Sequence, residues 1–307
     1  NSKFKTLNNP IFYRLSQLMS LLLGARIFVL LLFTFALYVS TFFLFNQEES
    51  LRKFVFDYKV HGIIFCSILS IAAGGIINRF YDNEKDMLAR PFRTRLQSFL
   101  KERYFLYSYI ALNLVSIIIS ALLSPRILVF FLIYQFFIWF YSHKLSKILI
   151  INNFTYVSLS LYPFFGMLVY YQHFSYKIFL MAIFLFLLML SIDLIKDVLT
   201  RNVDKVFGYN TIANVFSKKF SYNNIAVVIF FNIIISIIIV ITYHQFNIFS
   251  WYFILSIFFF LFLLFPECLS PTLVNHEYVP CKIRRHNHVP EICGWFSLWW
   301  VILRSPV

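Results

Sequence analysis

Long apolar runs broken by short polar islands dominate the chain. Eight of them approach the ~20 residues that a helix needs to cross a bilayer. They cover residues 18–45, 60–78, 103–123, 126–142, 148–171, 177–195, 222–243 and 248–266. The runs are apolar all round, as expected of helices buried in lipid. They lack the apolar–polar alternation of a membrane barrel. The pattern predicts an all-α, multi-pass transmembrane helical bundle over 18–266, with an N-terminal segment 1–17 before it and an atypical tail 267–307 after it.

Composition agrees. Hydrophobic residues make up 60% of the 307 and charged residues only 13%, against about 25% charged in a soluble domain. Mean hydropathy is +0.76. A soluble enzyme, a disordered chain and a disulfide scaffold are thereby excluded. Cys66 lies inside an apolar run and reads as a small buried hydrophobe.

The net charge of +14 suggests nucleic-acid binding until the basic residues are placed along the chain. Of the 27 Lys and Arg, 21 fall on the N-terminal side of the predicted membrane, seven of them in 79–103 and five in 196–219. The opposite loops hold only Arg52, Lys53, Lys59, Arg126 and Lys177. The positive-inside rule then predicts an integral membrane protein of a bacterial-type inner membrane, with its N-terminus and basic loops cytoplasmic and no nucleic-acid partner.

Two acidic islands occupy that same side. The first runs from Asn78 through Asp82 to Asp86, and a spacing of four stacks these side chains on one helical face. The second holds Asp193, Asp197 and Asp204, with Asp197 and Asp204 a heptad apart on one face. Carboxylates near a membrane are costly, about 2.5–3.5 kcal/mol each at a helix centre. Facing pairs of hard oxygen ligands suit Mg²⁺, which keeps part of its shell for phosphate oxygens. Nearby Lys85, Arg90, Arg93 and Lys196 can balance a diphosphate. Solvated helix ends, or an ion or proton relay in a transporter or channel, are the alternatives, although relays sit near the midplane.

At these residues the chain resembles the UbiA-type intramembrane prenyltransferases. Asn78 to Asp86 is similar to the family's first aspartate motif, and Arg90-Pro91-Phe92-Arg93 to the R-P-x-R after it. Lys196, Asp197 and Asp204 resemble the second motif, K-D-x-x-D-x-x-x-D, with Gly208 and Thr211 as its G-x-x-T. Tyr141-Ser142, Leu145 and Asn153 resemble the family's Y-S-x-x-L…G-N segment, and Arg26 a basic residue of its first helix. The resemblance implies Mg²⁺-dependent transfer of a polyprenyl group from its diphosphate to an acceptor, either a quinone-precursor aromatic or a glyceryl-phosphate lipid. It assigns Asn78, Asp82 and Asp86 to one metal site and Asp197 and Asp204 to the other, with Asp193 as an added carboxylate. Arg93, Lys196, Arg90, Tyr141, Asn153 and Arg26 fall to substrate binding.

The chain departs from the pattern at four positions. Thr200 replaces the second motif's middle aspartate and Val203 a glycine before the last one, while Arg79 and Asn152 stand where an acid and a glycine are common. Thr200 predicts a weakened or rearranged second metal site. A CDP-alcohol phosphotransferase would need D-G-x-x-A-R, and Asp86-Met-Leu-Ala-Arg90 lacks both the glycine and the spacing. The tail carries Cys268, His276, Cys281, His286, His288 and Cys293 in no zinc framework. Its apolar stretch from Cys293 to Leu303 is too short to span. The family's ninth helix is therefore expected to be missing or altered, and the tail poorly packed.

Overall fold

The computed structural model describes residues 10–45, 50–89, 91–172, 174–243 and 248–264. The tail and its predicted poor packing lie outside the described residues, as does Arg90. The described residues are mostly helical, joined by short turns, and contain no strand. In order, the helices are α1 (Pro10–Gly24), α2 (Ile27–Ser40), α3 (Leu51–Phe56), α4 (Tyr58–Ala89), α5 (Pro91–Gln97), α6 (Glu102–Leu123), α7 (Pro125–His143), α8 (Ile151–Tyr171), α9 (Tyr176–Val206), α10 (Ile212–Val215), α11 (Lys218–Tyr243) and α12 (Ile248–Leu264).

Among the described residues, six segments are long and apolar enough to cross a membrane: Ile27–Phe45, Tyr58–Leu88, Glu102–Leu123, Pro125–His143, Tyr176–Val206 and Lys218–Thr242. The other two expected spans are present as α8, which carries Asn152, Asn153 and Pro163, and as α12, with 17 residues. The first expected span, 18–45, is not one helix. It breaks at Ala25-Arg26, where Arg26 adopts the left-handed conformation with φ 58°. Tight packing accompanies the break: a Cβ on Gly75 of α4 would stand 3.1 Å from the Gly24 carbonyl oxygen, so the backbones touch at this corner.

Helix α4 is the axis of the bundle, packing against α2, α6, α7, α8 and α9. Two-thirds of its apolar window (67%) is buried, against 11% of that of α6, which faces outward. Phe131, Tyr134, Phe164, Phe184 and Phe253 fill the core beside Ile63 and Ile64. Among them, Gln135 Nε2 lies 3.4 Å from the Asn113 carbonyl, and Ser70 lies 3.2 Å from Ser116. Such bonds join helices where lipid offers no alternative partner.

Both acidic islands lie inside helices longer than expected. α4 continues past 78 to Ala89, and α9 past 195 to Val206. At 1.5 Å per residue these helices of 32 and 31 residues reach roughly 45–48 Å, beyond the ~30 Å hydrocarbon core. The surplus turns carry the motifs. Their four-residue spacing therefore acts within continuous helix.

Candidate active site

Asn78, Asp82 and Asp86 occupy the last three turns of α4, and Asp193, Asp197 and Asp204 the second half of α9. An ion pair joins the two helices at this end, with Lys85 Nζ 2.6 Å from Asp204 Oδ1. The other Asp204 oxygen accepts from the Thr200 hydroxyl at 2.6 Å. One turn apart, Asp193 and Asp197 share a donor: Asn153 Nδ2 lies 2.8 Å from Asp193 Oδ2 and 2.7 Å from Asp197 Oδ2. Lys196 Nζ completes Asp193 at 2.9 Å. These three carboxylates are 1%, 3% and 1% exposed, so their partners replace water that the fold excludes.

The first motif is more open. Asp82 and Asp86 are half-buried. Asp82 accepts a hydrogen bond from the Tyr209 hydroxyl, and Asn78 Oδ1 one from the Ser142 hydroxyl. Tyr209 sits in the turn that ends α9. Gly208 takes φ 70° there, a region costly for any residue with a Cβ. The turn is closed by Tyr209 N donating to the Asp204 carbonyl at 3.0 Å, and by Asn210 N reaching the Lys147 carbonyl at 3.3 Å. Lys85 Nζ lies 3.9 Å above the Tyr209 ring, a cation–π distance, with Lys147 Nζ at 5.5 Å. Burial, and next the Asp82 charge, push the Tyr209 phenol well above its ordinary range, so it stays a donor at neutral pH.

The sequence model of the UbiA prenyltransferase family matches residues 50–277, a stretch that contains both motifs. The chain belongs to the UbiA prenyltransferase family. Solved structures share this fold. A digeranylgeranylglyceryl phosphate synthase in membranes superposes with a TM-score of 0.60 at 20% identity, covering 82% of this chain and 88% of its own. A UbiA homologue from Archaeoglobus fulgidus bound to DMAPP and Mg²⁺ gives 0.64 at 15% identity, covering 92% and 96%. The same homologue with GPP and Mg²⁺ gives 0.63 at 14% identity, covering 93% and 95%. No curated protein matches the chain.

Within this UbiA fold the remaining sequence-marked residues take varied places. Asn153 and Lys196 lie in the carboxylate cluster itself. Tyr141 is behind it, its hydroxyl donating to Asn152 Oδ1 at 2.8 Å, so the residue in place of the family's glycine ties α7 to α8. Arg26 stands at the α1–α2 corner, where its charge acts on Asp82. Arg93 Nη2 donates to the Leu23 carbonyl at 2.8 Å and so binds α5 to the end of α1. Arg79 turns away from the cluster. Its guanidinium lies 3.5 Å over the Phe105 ring, with Nε 2.9 Å from Gln97 Oε1. Among the described residues, no group of three or more His, Cys, Asp or Glu side chains converges as a metal cage would.

Tyr209 escaped sequence reasoning. Its only signal was its place inside G-x-x-T, directly after a glycine that ends a helix. Lys85 was legible as a nearby charge, but its pairing across to α9 was not.

Proposed function

We propose that the chain is an intramembrane, Mg²⁺-dependent prenyltransferase whose α4 and α9 motifs bind the diphosphate of a polyprenyl donor. The observation that supports this reading is the 2.6 Å contact between Lys85 of the first motif and Asp204 of the second, which makes one polar face of two islands far apart in sequence. The donor set suits a hard divalent ion: carboxylates on Asp82, Asp86, Asp193, Asp197 and Asp204, a neutral amide on Asn78, and the Asn153 Oδ1 and Asp204 Oδ1 atoms, both buried with no hydrogen-bond partner. Mg²⁺ held there would offset the charge of the diphosphate. Lys196, Arg93 and Arg26 add positive charge, as the sequence position of Arg90 also suggests, and Tyr141 and Asn153 hold neighbouring groups by hydrogen bonds.

In the reaction the allylic C–O bond breaks and its electron pair leaves on the diphosphate. An electron pair of the acceptor forms the new bond to the prenyl carbon, and the acceptor gives up a proton. Two classes of acceptor fit the resemblance, an aromatic quinone precursor and a glyceryl-phosphate lipid. The charge asymmetry of the loops supports a cytoplasmic active face with the prenyl tail lying in the bilayer.

The test is incubation of purified protein with labelled geranylgeranyl diphosphate, Mg²⁺ and a panel of both acceptor classes. Mg²⁺-dependent transfer is expected. Neither transfer nor diphosphate release with any acceptor would defeat the reading.

A further inference from the structure

Beside the motif face, the end of α4 carries a second polar face. Arg79 and Asn83, one turn apart, belong to it and reach α5 and α6. Asn83 Nδ2 donates to Glu102 Oε1 at 3.0 Å, at the start of α6. Arg79 spends two donors on a single residue: Nε meets Gln97 Oε1 at 2.9 Å and Nη2 the Gln97 carbonyl at 3.0 Å. Its guanidinium also lies 3.5 Å over the Phe105 ring. A planar fork makes both bonds and the ring contact at once, which an ammonium cannot reproduce.

Gln97 is the point where three helices meet. It is buried at the end of α5, and its carbonyl also accepts the Ser20 hydroxyl of α1 at 2.6 Å. Phe105 closes the other side of the joint. A Cβ on Gly24 would stand 2.5 Å from its ring, so the ring rests directly on the backbone there. With Ala25, Leu30, Ala72 and Ile76, Phe105 forms a small core separate from the main one. What this joint holds is the α1–α2 corner. Arg26 sits in that corner in its left-handed conformation, and Arg93 is tied to it through the Leu23 carbonyl. Arg79 thus stands behind both arginines, through Gln97 to α1 and α5 and through Phe105 to Gly24.

Resting on the prenyl-diphosphate reading above, we propose that Arg79 is a positioning residue for the donor. Its grip on Gln97 and Phe105 sets α5 and the α1–α2 corner so that Arg26 and Arg93 meet the diphosphate. An acid at this position could make neither the fork nor the ring contact, and would add a negative charge near Glu102 and Asp86, whose charges act on position 79. The departure from the common acid is then a change of task, from the motif face to the joint behind it.

The experiment measures the Kd of labelled geranylgeranyl diphosphate, with Mg²⁺, on the full chain in lipid nanodiscs, together with the melting temperature. Arg79→Met is expected to weaken donor binding about tenfold, and Gln97→Met, which removes half of the joint and no charge, about fivefold. Gln97→Met carries the test if Arg79→Met misfolds. Arg79→Lys keeps the charge without the fork and should behave like Arg79→Met. In an Arg26→Gln background the loss on Arg79→Met should shrink to about threefold, because one of the two arginines it positions is gone. A merely structural arginine would lower the melting temperature and leave the Kd of the folded protein unchanged. An arginine touching the diphosphate itself would be largely replaced by lysine, would leave Gln97→Met silent and would add in full to Arg26→Gln. Either result would overturn the inference while wild type still binds the donor. If wild type binds no donor in Mg²⁺, the prenyl-diphosphate reading itself fails and takes the inference with it.

Discussion

On α9 every motif carboxylate is buried and already holds a partner: Lys196 and Asn153 on Asp193, Asn153 on Asp197, Lys85 and Thr200 on Asp204. On α4 the two carboxylates stay half-buried, and Asp82 takes its one side-chain hydrogen bond from a tyrosine outside its own helix. The second motif is thus preorganised by the protein, while the first depends on what approaches it. Preorganised groups cost little reorganisation when a cation arrives among them. The same contrast separates the two ends of α4. At its start Asp57 caps the helix, accepting from Lys59 N at 3.0 Å and from the Tyr170 hydroxyl at 2.9 Å. There a carboxylate does structural work only.

Removing an open carboxylate should have the largest effect on transfer. On the proposed reading, Asp82→Ala is expected to lower turnover by about 10²–10³-fold with little change in melting temperature, since Asp82 is half-buried and holds one tyrosine rather than the core. Full activity in steady-state assays would place the chemistry elsewhere. Asn153→Ala attacks the preorganised side. It leaves Asp193 and Asp197 adjacent without their shared donor, and is expected to cost roughly 10–100-fold in Mg²⁺ affinity and about 1–3 kcal/mol of stability. Metal titration and thermal unfolding in detergent would check both.

Tyr209→Phe should be milder. It keeps the ring beneath Lys85 but removes the donor to Asp82, with an expected loss of about tenfold in kcat/KM. Because the phenol is raised well above its ordinary range, neither protein should titrate at this position at neutral pH. Steady-state kinetics of the two proteins would check the expected loss, and an unchanged kcat/KM would contradict the assignment. The smallest effect on transfer belongs to Asp57→Ala at the far end. Transfer should stay within about twofold while stability falls by about 0.5–2 kcal/mol, the cost of a helix cap. A large loss of activity there would break the distinction between the two ends.

The helical membrane fold was legible because 20-residue apolar runs have few other solutions in a bilayer, where every backbone group must be satisfied within the segment. The four-residue spacing of Asn78, Asp82 and Asp86 was legible as a helical face for the same reason. The helix ends were not. Hydropathy drops at 78 and at 195, but the backbone continues as helix through the polar residues. The break at Arg26 was invisible too, since nothing in the apolar pattern of 18–45 marks a left-handed residue. It reflects a close approach between Gly24 and Gly75, a contact between segments about fifty residues apart.

Thr200 illustrates the remaining gap. Read in line with the motif, it is a missing carboxylate. In the folded chain it is a donor to Asp204, whose charge is met by a lysine more than a hundred residues earlier.

The sequence by itself determined that this is a helical membrane protein with two acidic motifs on one side, because bilayer solvation and helical periodicity are local rules. Only the tertiary structure decided which carboxylate meets which cation, and that Tyr209 and Asn153 join separate helices at the cluster. Such pairings depend on desolvation at contacts between distant segments, and no spacing along the chain encodes them.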